Sequence, residues 1–418
     1  MFIAEYIKML DKSYLFPSDA LEKILSLIPN GVTSERLNLH ECYGRVTSSD
    51  IISPEDLPAF TRSTVDGYAV NSLDTFGAKE SSPIYLTIKN EILMGYEANF
   101  TLMRGEAASI PTGGMLPPGA DAVVMLEDIQ LVDKYTIEIL KSVAPFENVI
   151  QKGEDIKRGE KVLSKGHKLR YQDIGALAGI GIKEIDVYRK VFISIISTGD
   201  EIVPVDSPVK IGQIRDINSY TLTGLIRETG SVPINRGIFR DDYNEIKTAI
   251  LNSLEDSDII LISGGTSAGN KDMTADIIND IGKPGVLFHG VAMKPGKPII
   301  GGVISNKPIL GLPGHPAAVI VCFNRFVRPI IEKLMGIVSE KNFLKKVTAR
   351  LTKSIASSAG REDHIRVYLE KRDNELLATP ILGKSGLITT LVKADGIVII
   401  PCDVLGINEG EKVEVMIH

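Results

Sequence analysis

The chain has 418 residues, with 47 Lys and Arg against 53 Asp and Glu, a formal net charge of −6. At 44% hydrophobic and 24% charged residues it is an ordinary globular composition, which excludes global disorder. A mildly acidic chain is also a poor wrapper of a nucleic-acid backbone. At about 150 residues per domain, roughly three domains are expected.

Three cysteines, Cys42, Cys322 and Cys402, lie far apart with no CxxC, which argues against a disulfide framework or a structural zinc site. No apolar run approaches the ~20 residues of a bilayer span. The start, Met1 to Lys8, lacks the basic-then-apolar order of a signal peptide. A cytoplasmic protein without membrane partner is expected.

Residues 18–25 read as a helix with Ser18 or Asp19 as cap and Leu21, Ile24, Leu25 and Ile28 on one face. Residues 56–147 hold short β-type runs (84–88, 122–125, 136–139) between Gly, Pro and Asp, a small all-β domain. Residues 148–190 are turn-rich, with a short helix at 172–178. They can return to the first region, which gives a discontinuous mixed α/β domain, 1–55 with 148–190, into which the β domain is inserted. Residues 191–335 alternate strands (191–196, 258–263, 308–312) with helices (219–228, 243–254, from about 273, and 317–334). Continuous apolar strands between helices predict a mostly parallel, doubly wound sheet. Residues 340–418 return to β, and the alternation over 412–417 suits an edge or barrel strand.

Chemistry concentrates where the strands of 191–335 end, which is where open α/β sheets bind ligands. Ser197-Thr198-Gly199-Asp200-Glu201 runs a strand into a glycine turn with two carboxylates. Ser263-Gly264-Gly265-Thr266-Ser267 continues to Asp272, a small-residue loop that offers backbone N–H groups and a helix start to an anion. Met293-Lys294-Pro295-Gly296-Lys297-Pro298 projects two ammonium groups from a stiff turn. Leu312-Pro313-Gly314-His315-Pro316 is a strand–turn–helix junction with Pro316 near the helix start. Taken singly, each is an ordinary turn. Four of them in one α/β domain imply a phosphate or oxyanion site, although neither GxxxxGK[ST] nor GxGxxG is present. Outside this domain, Val65-Asp66-Gly67-Tyr68-Ala69 and Pro111-Thr112-Gly113 place a carboxylate and a hydroxyl at glycine turns. Carboxylates at a phosphate site imply a divalent cation.

These motifs, with Gly153-Glu154-Asp155-Ile156, Asp216-Ile217-Asn218-Ser219 and Gly360-Arg361-Glu362-Asp363, resemble in their order the molybdopterin molybdenumtransferase family, the type also found as the E domain of gephyrin. The resemblance spans nearly the whole chain. It implies four domains, the last a β-barrel-like domain and the α/β one of molybdopterin-binding type, in an elongated homodimer whose active site is shared between subunits. It implies insertion of molybdate, or tungstate, into adenylylated molybdopterin with Mg²⁺-dependent release of AMP, and a molybdopterin adenylyltransferase as pathway partner. On this resemblance Asp66, Thr112, Asp155, Glu201, Asp216 and Asp272 are the catalytic set, with Asp216, Asp272 and Glu201 toward Mg²⁺. Ser267, Lys294, Lys297, Arg361 and Ser385 fall where the family binds molybdate, with Arg366 as the alternative to Arg361. Gly264, Gly265, Pro313, Gly314 and Pro316 complete the binding loops. The chain departs from the family's usual residues at His315, Ala318 and Leu387. Two other readings share the α/β domain: an adenylyltransferase that consumes ATP, and a scaffold that binds a partner.

Overall fold

The structure is a computed structural model that describes residues 14–264, 271–338, 346–381, 383 and 386–417, with only the backbone of Lys271 and Asp272. Its centre is a six-stranded sheet of β1 (Phe192–Thr198), β2 (Val232–Phe239), β3 (Ile259–Gly264), β4 (Pro284–His289), β5 (Ile300–Ile304) and β6 (Lys307–Leu312), in the order β2-β1-β3-β6-β5-β4. The first four strands in that order are mutually parallel, and β5 runs antiparallel to both its neighbours, β6 and β4, so the sheet is mixed at one edge.

The period of two decides which face each side chain takes. Ile259 and Leu261 of β3 pack in one core with Leu222 and Ile226 of α1 (Asn218–Glu228) and with Val319 of α4 (Pro316–Cys322). Ile260 and Ile262 pack in the other with Ile246 and Ile250 of α2 (Tyr243–Asp256) and Ile277 and Ile278 of α3 (Lys271–Ile281). Helices therefore cover both faces, and all four of these β3 side chains are fully buried. Each contributes roughly 1.5–3 kcal/mol from burial. The chain leaves β1 for β2 on one side and returns to β3 on the other, so the switch of strand order lies between β1 and β3.

Two expectations are corrected. The first helix is Pro17–Leu25, with Phe16 at its N-cap, no side-chain cap bond, and Pro17 in the first turn; Ser18 and Asp19 lie inside it. The run expected as one helix over 317–334 is α4, then a π-helical turn over Phe323–Val327, then helix Arg328–Leu334. Apolar spacing does not register the extra residue per turn that a π-turn inserts.

A second six-stranded sheet, including Gly67–Val70, Lys79–Glu91 and Glu106–Ile110, lies within residues 67–141. The chain segments before and after it pair antiparallel with each other: Arg62–Ser63 with Val149–Ile150, Ile51–Ile52 with Lys161–Leu163, and Ser34–Asn38 with Glu184–Tyr188. Leu39, Ile51, Leu177 and Val187 share one core there.

The last sheet closes on itself. Glu362–Arg372 pairs with Glu375–Pro380 and, on its other side, with Gly396–Ile400, and Lys346–Leu351 and Lys412–Ile417 complete the ring. Val367, Ala378, Val398 and Val415 fill the barrel, and closure removes the free edges. Met293–Lys294 adds to it as a short parallel strand against Glu362 and Asp363. Arg325 seals the joint, its Nε donating to Glu362 Oε1 at 3.0 Å. No helix among the described residues is long and apolar enough to cross a membrane.

Candidate active site

The crevice at the carboxyl ends of β1 and β3 is polar and tightly bonded. Ser197 Oγ donates to Asp216 Oδ2 at 2.8 Å, and the Ser219 N–H donates to Asp216 Oδ1 at 3.1 Å, so Asp216 is fixed just ahead of α1. Asn218, in the first turn of α1, donates from Nδ2 to Ser263 Oγ and to the Gly314 carbonyl, both at 2.8 Å. A carbonyl only accepts, so the Gly314 bond fixes which end of the amide is nitrogen. Two buried atoms here have no hydrogen-bond partner among the described residues, Thr198 Oγ1 and Asn218 Oδ1. Gly264 has φ +110°, and a Cβ there would lie 1.9 Å from the Thr198 carbonyl oxygen, so only glycine lets β3 end against β1 in this way. Glu201 is exposed, with Oε2 close over Gly199.

Mg²⁺ can be tested against this crevice. Among the described residues there is no group of three or more His, Cys, Asp or Glu that could hold a metal. The ion does not require one, because it keeps several waters and takes one or two carboxylates plus substrate phosphates. The candidate ligand atoms present are oxygens, and a buried amide oxygen, Asn218 Oδ1, is unpartnered among the described residues. The crevice fits Mg²⁺ on that ground.

Beside it lies a cleft of about 1380 Å³ between the α/β domain and the barrel, lined by Lys294, Lys297, Pro313, His315, Arg361 and Arg366 among others. The turn at Pro313 and Gly314 therefore serves both spaces: Pro313 and His315 line the cleft, while the Gly314 carbonyl takes the Asn218 bond. Pro316 opens α4. Lys294 and Lys297 are exposed, and neither has a carboxylate partner among the described residues. Lys297 Nζ sits 4.1 Å from the centroid of the Tyr14 ring. Below the turn, Cys322 is fully buried with Sγ against Gly296, and burial pushes its thiol far up, so it is inert.

The two arginines differ. Arg361 is held by the buried carboxylate of Asp363, whereas Arg366 is half-buried with no acidic partner among the described residues. Desolvation lowers the Arg366 pKa from its ordinary value. Arg361, expected as the oxyanion contact, is thus already engaged.

Asp66 and Thr112 meet at the ends of two neighbouring strands of the second sheet, Asp66 just before Gly67–Val70 and Thr112 just after Glu106–Ile110. The Thr112 N–H and hydroxyl both donate to Asp66 Oδ1, at 2.7 and 2.9 Å. These bonds, the backbone one first, hold the Asp66 carboxyl below its usual range. Asp155 is exposed in a turn, its N–H donating to the Leu57 carbonyl at 3.1 Å. Among the described residues no hydrogen bond or ion pair joins Asp66, Thr112 or Asp155 to the crevice or the cleft. Gly265, Ser267, the side chain of Asp272, and Ser385 lie outside the described residues. Sequence reasoning missed Asn218 and Tyr14. Asn218 had a usable signal, a second polar side chain two residues after Asp216 at a helix start. Tyr14 had none.

Three family models match the chain in succession: the MoeA N-terminal region (domain I and II) over residues 16–181, a "Probable molybdopterin binding domain" over 194–333, and the MoeA C-terminal region (domain IV) over 348–417. A molybdopterin molybdenumtransferase of Haemophilus influenzae is 32% identical over 400 residues, covering 95% of this chain and 96% of that protein. One from Bacillus subtilis is 30% identical over 414 residues, covering 98% and 95%. The crystal structure of a molybdopterin biosynthesis MoeA protein from Pyrococcus horikoshii matches with a TM-score of 0.82 at 40% identity, covering 97% of this chain and 99% of that one. With matching models over most of its length and these relatives, the chain belongs to the molybdopterin molybdenumtransferase family, MoeA.

Proposed function

We propose that the protein is a molybdopterin molybdenumtransferase of molybdenum cofactor biosynthesis that takes adenylylated molybdopterin and molybdate, releases AMP and leaves the metal on the dithiolene. The observation that carries this reading is the Pro313–Gly314 turn, which joins an acidic crevice to a cleft where Lys294, Lys297 and Arg366 have no carboxylate partner among the described residues. The whole protein is negative, so attraction for two anionic substrates must be local. Lys294, Lys297 and Arg366 attract and orient the oxyanion, each through charge-assisted bonds. Gly264 allows close approach of backbone to the phosphates, and Gly265 and Ser267 are assigned to the same binding role. Asp216 and Glu201, with Asp272, are the residues assigned to Mg²⁺, which when bound neutralises charge on phosphate oxygens. Ser197 and Ser219 keep the Asp216 carboxylate oriented. Thr112 keeps Asp66 ionised, and in this reading that pair completes the site of the other subunit in a homodimer.

The remaining parts of the reading follow from the same chemistry. The domains divide as 1–55 with 148–190, 56–147, 191–335 and 340–418. A molybdopterin adenylyltransferase supplies the substrate, and the protein works in the cytoplasm. The test is direct: incubate the full chain with preformed adenylylated molybdopterin, molybdate and Mg²⁺, and follow AMP by chromatography. Release of AMP with molybdenum retained on the pterin is expected. Consumption of ATP with no AMP release from the preformed substrate would replace this reading by the adenylyltransferase one.

A further inference from the structure

We infer that Tyr14 is a positioning residue that holds Lys297 in place for an oxyanion without neutralising it. The inference rests on the reading of Lys297 as an oxyanion contact. The chain reverses around the Lys294–Lys297 turn. The Val291 N–H donates to the Lys297 carbonyl at 2.9 Å, and the Gly290 N–H to the Ile299 carbonyl at 2.8 Å, so Lys297 lies opposite Gly290 and Val291. The segment ahead of the first helix runs alongside. Leu15 forms a parallel bridge to Val291, and the Ala292 N–H donates to the Leu15 carbonyl at 2.9 Å.

That bridge delivers Tyr14 onto Gly290. Gly290 has φ +85°, and a Cβ there would lie 2.5 Å from Tyr14 Cε1, so the ring rests on the bare face of the glycine. Lys297 Nζ then lies over that ring, 4.1 Å from its centroid, and both side chains line the cleft.

The choice of an aromatic ring has a physical consequence. A carboxylate would restrain Lys297 equally well but would cancel its charge. A ring face attracts an ammonium through its quadrupole and carries no net charge. Among the described residues no carboxylate pairs with Lys297, so the ring is what limits the wandering of a long, flexible side chain. The ammonium remains available to a tetrahedral oxyanion.

The experiment measures molybdate affinity of the full-length protein by calorimetry at low ionic strength, for wild type, Tyr14→Phe, Tyr14→Leu, Lys297→Ala and the Tyr14→Leu, Lys297→Ala double variant. Tyr14→Phe keeps the ring and should stay within about twofold of wild type. Tyr14→Leu keeps apolar bulk on Gly290 and should weaken binding about two- to thirty-fold. Lys297→Ala should weaken it, and the double variant should match Lys297→Ala alone. The ε-methylene protons of Lys297 should show an upfield ring-current shift that Tyr14→Leu abolishes. If Tyr14→Leu does not fold, Tyr14→Met is read in the same way. Wild-type affinity in Tyr14→Leu with a loss in Lys297→Ala would overturn the role of Tyr14 alone. An equal loss from Tyr14→Leu with and without Lys297 would reduce the ring to a packing role and overturn it too. Unchanged affinity in Lys297→Ala would overturn the oxyanion reading itself.

Discussion

Arg361 donates from Nε to Asp363 Oδ1 at 2.8 Å and from Nη2 to Oδ2 at 3.3 Å. Asp363 is 2% exposed, and the Ser357 hydroxyl also donates to it, at 3.0 Å. The pair anchors the start of the barrel strand against which Met293–Lys294 is laid. Both arginines line the cleft; Arg361 is tied to the barrel by this pair, while Arg366 has no acidic partner among the described residues.

Replacing the two arginines should separate these roles. Arg361→Ala leaves a buried carboxylate short of its donor and should cost about 2 kcal/mol of stability or more. Arg366→Ala should cost little stability and weaken molybdate binding about tenfold, the loss of one charge-assisted contact. Denaturant unfolding and binding calorimetry on the same preparations check both halves. Equal effects of the two variants on affinity would contradict the division.

Lys294→Ala with Lys297→Ala should weaken molybdate binding by about tenfold or more per lysine at unchanged folding. Neither side chain has a core role, since both are exposed on the turn. Affinity equal to wild type in the double variant would remove the lysine turn from the site.

The joint between the α/β domain and the barrel should loosen in acid. Burial alone would raise the Glu362 carboxyl, but the His364 bond at 2.7 Å and its charge, with Arg325, outweigh burial and hold it low. A carboxyl whose folded pKa is depressed stabilises the fold above its unfolded value, near 4.3 for Glu, and that contribution is lost as pH falls through the folded value. Thermal unfolding of wild type should therefore drop below pH ~4.3 more steeply than that of Glu362→Gln. Parallel pH profiles would sink the assignment.

Asp66 offers a quieter titration. Thr112→Val removes the hydroxyl bond and leaves the backbone N–H bond in place. The Asp66 carboxyl should move up toward the ordinary value of about 3.9 without reaching it, because the larger lowering cause, the backbone bond, survives. Carbon-13 NMR of the carboxyl against pH reads this directly.

If the active site is shared in a homodimer, two inactive variants should complement. In mixed dimers of Asp66→Asn and Asp272→Asn chains, one site carries both defects and the other neither. Random exchange makes half the dimers mixed, so about a quarter of wild-type AMP release should return. Exchange demonstrated by mass spectrometry with no recovery would place both carboxylates in one chain's site.

The central strands were legible because burial on both faces demands continuous apolar runs, and residues 259–262 are such a run. The strands that sequence reading passed over are those where Gly and Pro read as punctuation. Val232–Phe239 lies at a sheet edge, where Pro233 and Gly237 are tolerated. In Ile300–Ile304, Gly301 is bare because the Phe288 ring fills its space: a Cβ there would lie 2.2 Å from Phe288 Cζ. That is a tertiary reason, invisible in a local window.

The glycine turns at strand ends, the lysine turn and the acidic residues ahead of helices are local patterns, so the sequence alone determined which loops of the α/β region carry glycine, lysine and carboxylate side chains. It also determined the family, through the order of motifs along the chain. Which side chains are free to act was decided only by the fold. Arg361 and Arg366 are equivalent as letters, and the buried Asp363 separates them. Asn218 joins the end of β3 and the Gly314 turn, 45 and 96 residues away, and Lys297 meets a ring from the far end of the chain. Charge, backbone preference and apolar period act over a few residues, whereas pairing and desolvation depend on neighbours that only the packed chain brings together.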